Sequence, residues 1–148
     1  MKILASTFQK FELHKTYKLN SGGCGFFALK VYDTFKPIIP QLRLINIQDY
    51  FFNDYFHVVL EHRGFRFDSE GEATKWTKYP SEFVAYKQLL FDINARDTWN
   101  DLFDRKHVPT IEAMIKDVYN RYQHQIAYDL NLPGIAVLPS RRKIIIHG

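Results

Sequence analysis

The apolar residues Ile111, Met114, Ile115, Val118, Tyr122, Ile126 and Leu130 recur mostly at three- and four-residue steps. That spacing predicts a helix with one apolar face, opened by Pro109-Thr110 and stopped by Pro133-Gly134. Such a helix has to bury its face on another element, and the rest of the chain offers both kinds. From Cys24 to Phe35 a second stripe runs through Phe27, Val31 and Phe35, widened by Ala28 and Leu29 and ended by Pro37. Residues 55–60 (YFHVVL) read as a strand, and 65–67 (FRF) as its hairpin partner around Gly64. Ser81 is placed to cap a helix running to about Asn94, and Asp97 a shorter one through Trp99, Leu102 and Phe103. The segment IAVLPSRRKIII reads as two short strands, and residues 38–54 fit no single pattern. With no repeat and no linker, the expectation is one α+β domain over residues 1–148, its helices packed on a sheet.

Composition narrows the class of protein. Apolar residues make up 46% of the 148, enough to fold by burial alone. The single cysteine rules out an intramolecular disulfide and every multi-cysteine zinc motif. No apolar run approaches the roughly 18 residues of a membrane helix, and the N-terminal MKILASTFQKFELHK has too short an apolar run for a signal peptide. A soluble cytoplasmic protein without a membrane partner is therefore expected. The net charge of +4 is mild and spread out. Only Arg141, Arg142 and Lys143 cluster; they could touch phosphates, but a solvated strand edge accounts for them better.

The chemistry concentrates around the thiol. In NSGGCGFF, residues 20–27, Cys24 stands in the first turn of the predicted helix, behind two glycines. The positive end of a helix and a nearby imidazolium both favour the thiolate, the nucleophilic form. The commonest fate of a free cysteine is nevertheless that of a small buried hydrophobe. The hairpin is what separates the two readings. A turn centred on His62-Arg63, or spanning Glu61 to Gly64, pairs Leu60 with Phe65, Val58 with Phe67 and His57 with Asp68. Opposed residues share a face about 5 Å apart, so Asp68 would accept a hydrogen bond from His57. An odd loop with Gly64 as a bulge would send the two side chains to opposite faces.

The order GGCGFFALKVY followed by HVVLEHRGFRFDSEG resembles the papain-like cysteine peptidases, most of all the compact bacterial branch that includes the double-glycine leader peptidases. Transglutaminase-like proteins and arylamine acetyltransferases share the Cys, His, Asp order. The likeness covers about residues 20–72. It implies a papain-like core with Cys24 as nucleophile, His57 as general base and acid, and Asp68 as the residue that holds His57. The chain departs from the pattern in three ways. The Cys-to-His interval is only 33 residues. The family's glutamine six residues before the cysteine, an oxyanion donor, is Lys18 here, which leaves Asn20 as the nearest amide for that role. The helical half from Ser81 to Leu130 has no counterpart.

These readings predict a cysteine-dependent hydrolase or acyltransferase that forms a thioester on a protein or peptide substrate. No cofactor, metal or nucleic acid is required. Cys24, His57, His62 and Asp68 are metal-binding types but lack zinc-ligand spacing, and SGGCG lacks the lysine of a phosphate loop. The rings of QDYFFNDYF, residues 48–56, suit either a core or a cleft wall, and Trp76 either packs or shields the site. The alternative is a binding module that keeps the scaffold without turnover. A third reading, a single-strand nucleic-acid binder, would use lysine and arginine with the aromatic rings.

Overall fold

The computed structural model describes residues 1–19, 23–48, 55–74, 76, 79–95 and 103–130. It is an α+β arrangement. Helices α1 (Lys2–Phe11), α2 (Leu13–Thr16) and α3 (Cys24–Phe35) come first. Strands β1 (Arg43–Gln48), β2 (Tyr55–His62), β3 (Phe65–Asp68), β4 (Gly71–Glu72) and β5 (Ser81–Val84) follow, then α4 (Tyr86–Asn94), a 3-10 turn at Arg105–His107, and α5 (Val108–Asp129). The five strands form one antiparallel sheet in the order β4-β3-β2-β1-β5.

Helix α3 has the bounds its stripe predicts, and it buries Phe27, Ala28, Val31 and Phe35. They meet Val58, Leu60 and Phe67 of the sheet in the main core. Helix α5 buries Ile111, Ile115, Val118 and Ile126 of its stripe, and it ends at Asp129, before the predicted stop. Its Tyr119 ring packs edge-on against Phe35, with centroids 5.4 Å apart. The opposite face of the sheet is buried too, through Ile45, Ile47, Val59 and Ala73, with Trp76 against them. Burial on both faces explains why β1 escaped sequence reading. Leu44, Ile45, Asn46 and Ile47 are all buried, so the strand shows no alternation.

Two expectations change. Ser81 does not cap a helix: residues 81–84 form an edge strand paired with β1, from Leu44 opposite Val84 to Ile47 opposite Ser81. The ladder satisfies the backbone there, and the helix starts only after the extended Ala85. The N-terminal segment, read only for what it excludes, is the helix α1. It sinks Leu4, Ala5 and Phe8 into the core, and Phe8 meets Phe27 of α3 at 5.0 Å. Phe103 is buried, while Asp97, Trp99, Leu102 and the segment expected to form two C-terminal strands lie outside the described residues. Among the described residues no helix is long and apolar enough to cross a membrane.

Candidate active site

Cys24 is the first residue of α3 and is half-buried. Its N-cap, Gly23, supplies no side-chain hydrogen bond, and no acidic residue stands in the first turn. Gly23 itself has helical backbone angles, so helical backbone already precedes Cys24. Both flanking glycines are closely packed, Gly23 against a ring and Gly25 against the tip of an isoleucine side chain. A Cβ on Gly23 would come within 2.7 Å of the Phe103 ring, and one on Gly25 within 2.6 Å of Ile93 Cδ1. Residues from the helical half thus press against both sides of Cys24.

The β2–β3 hairpin has an even loop, as the site requires, but its turn is Arg63-Gly64. Both residues have positive φ, 50° and 87°, the combination a tight two-residue hairpin turn demands. The pairs are Leu60 with Phe67, Glu61 with Arg66 and His62 with Phe65. The expected pairing of His57 directly with Asp68 is thus corrected by two residues. Continued one step, the observed register sets Val59 opposite Asp68, and His57 becomes the diagonal neighbour. Because the slip is even, the two side chains still share a face. His57 Nε2 lies 2.7 Å from Asp68 Oδ2, and both side chains are almost fully buried. A β-bulge on β2 immediately precedes His57: Ile47 pairs with His57 and Gln48 with Tyr55.

His57 also hydrogen-bonds the Cys24 side chain. With Nε2 committed to Asp68, Nδ1 is the ring nitrogen left for the thiol. Burial pushes the His57 pKa down. The hydrogen bonds to Asp68 and Cys24, and the charges of both, outweigh it and lift the value from 6.5 to about 9. At neutral pH the ring is an imidazolium between a carboxylate and a sulfur, and this favours the thiolate. Trp76 lies against the ring at 4.7 Å, and the second carboxylate oxygen, Asp68 Oδ1, accepts the Glu70 N–H at 2.8 Å. The three candidate residues therefore meet.

This arrangement ties stability to pH. His57 holds its proton more tightly folded than unfolded. The stabilisation is complete below 6.5 and is lost as pH rises through about 9. A Cys24 held as thiolate contributes in the opposite sense over the same range and offsets that loss. Urea unfolding at pH 6 and pH 9.5 should therefore show a larger loss in Cys24→Ala, which keeps the Asp68 partner of His57, than in the natural chain.

Asn20 and residues 49–54 of the aromatic stretch lie outside the described residues. Lys18, at the family's glutamine position, is exposed and has a φ of 56°. A groove of about 400 Å³ between α3 and α5, lined by Lys30, Asp33, Glu112, Lys116 and Tyr119, includes none of the three meeting residues. Sequence reading passed over Glu70 and Gly71. Their signal was present in DSEG, a turn directly after the aspartate. Compared with known proteins, the chain matches no family model, no curated protein and no solved structure.

Proposed function

We propose that the chain is a cysteine-dependent acyl-transfer enzyme of papain-like design, a peptidase or a related hydrolase. One observation carries the reading: His57 bridges a buried carboxylate and the only thiol of the chain. The Cys24 thiolate adds to a substrate carbonyl, forming a C–S bond and a tetrahedral oxyanion. Backbone N–H donors beside the sulfur would stabilise that oxyanion, and donors of this kind are typically worth about 3 kcal/mol each. His57 Nδ1–H gives its proton to the leaving amine as the C–N bond breaks. Neutral His57 then takes a proton from water or from a second amine, which attacks the thioester and frees the sulfur. Asp68 keeps the ring oriented and stabilises its charged form.

Trapping with an acyl-type electrophilic probe tests this reading. The natural chain should form a covalent adduct at Cys24 near neutral pH, and Cys24→Ala none. A thiol that labels no faster than a free cysteine would instead favour a binding module without turnover.

A further inference from the structure

The turn that carries Asp68 is built to a close tolerance. Strand β3 passes to β4 through Ser69-Glu70, with Asp68 paired to Gly71 across the ladder. Both oxygens of Asp68 are engaged, one by His57 and one by the Glu70 N–H inside the turn. Ser69 is fully buried. Gly71 closes the turn at a φ of 103°, a conformation side chains rarely adopt. It also touches another element: a Cβ there would lie 3.2 Å from Cβ and Oε1 of Gln9 on α1. His14 Nε2 of α2 stands 3.8 Å from Glu70 Oε1 in the same turn. Helix α1 packs at the same time on the helix that carries the thiol, through Phe8 against Phe27. It therefore touches both the Cys24 helix and the Asp68 turn.

We propose that Gly71 is a positioning residue for the Cys24–His57–Asp68 relay: lacking a side chain, it lets α1 seat against the Asp68 turn and so holds the carboxylate at His57. This inference rests on the reading of the three residues as a nucleophilic relay, and it supplies a reason for the N-terminal helix. A side chain at position 71 would displace either α1 or the turn. Displacing the turn moves Asp68 relative to a bond of 2.7 Å. A buried hydrogen bond weakens steeply with such misalignment.

The test compares two glycines with similar backbone demands. Gly64 has a φ of 87° but open space around it, so Gly64→Asn carries the backbone strain without the collision. Asparagine tolerates positive φ better than other residues with a Cβ. Titration of His57 by NMR is the readout, because it needs no substrate and a merely structural role would not move it. Gly71→Asn should lower the His57 pKa by about one unit or more and slow thiol alkylation at pH 6 about tenfold. Gly64→Asn should leave both unchanged. Adding Gln9→Gly, which removes both the Cβ and the Oε1 that position 71 would meet, to Gly71→Asn should restore much of the shift, and this double variant carries the test if the single one does not fold, with Gln9→Gly alone as its reference. An unchanged His57 titration in a folded position-71 variant would overturn the proposal, as would an equal shift in Gly64→Asn. If the natural chain shows no rapid labelling, the enzyme reading fails, while the NMR titration still decides the role of Gly71.

Discussion

Replacing His57 by alanine should change the pH profile of Cys24 alkylation more than any other single substitution. An imidazolium that stays charged up to about pH 9 beside the sulfur favours the thiolate. The reaction of Cys24 with iodoacetamide should be nearly flat between pH 6 and pH 8. In His57→Ala the thiol returns toward the ordinary cysteine value of about 8.5, so the rate should climb about tenfold per pH unit. The gap is widest at low pH. At pH 6 an ordinary cysteine is well under about 1% ionised, although a thiolate of low pKa is intrinsically less nucleophilic, and the net loss should be roughly ten- to a hundredfold. Any acyl-transfer turnover should fall further, by about 10² to 10⁴, because the variant also lacks the proposed general acid and base. Since Cys24 is the only cysteine, the labelling signal has one source. A natural chain whose rate already climbs tenfold per pH unit would sink the relay.

The second large effect is expected from Asp68→Ala. This change leaves a buried imidazole with burial as the leading influence on its charge. Its pKa should drop from about 9 toward or below 6.5. Removing one partner of a buried pair typically costs about 3–5 kcal/mol. The loss should be largest at pH 6, where His57 is charged in the natural chain, and it should shrink above pH 9, where it is not. Asp68→Asn keeps the shape of the turn and an acceptor oxygen without the charge, and should fall between the two. Urea unfolding at several pH values, read beside the NMR titration of His57, separates the electrostatic loss from a collapse of the turn. Equal destabilisation at pH 6 and pH 9.5 would show that Asp68 serves the fold alone.

Both expectations depend on a parity that could be read from the residues and a register that could not. The stretch YFHVVL alternates in its strand, and any even loop leaves His57 and Asp68 on one face. Which even loop forms depends on which residues accept positive φ, and Arg63-Gly64 takes that place over His62-Arg63. Asp68 also reads as an ordinary turn residue. Only the ladder to Gly71 and the Glu70 N–H show why it sits rigidly beneath an imidazole.

The local elements were legible where one face meets water and the other does not. Helices α3 and α5 carry stripes at helical spacing, and each formed where its stripe lies. Strand β1 has no polar face to mark it, since it is buried on both sides. Ser81 carries a local signal for a helix cap, and pairing with β1 overrode it. Helix α1 reaches its place by packing on α3 and β4, contacts between segments far apart in the chain. Periodicity and residue chemistry thus determined the class of fold and the three groups of the site, because both act over a few neighbouring residues. The meeting of Cys24 with His57, the two-residue shift of the hairpin and the seating of α1 on the Asp68 turn belong to the tertiary structure. Each depends on how separate elements share buried space, which no short stretch of sequence encodes.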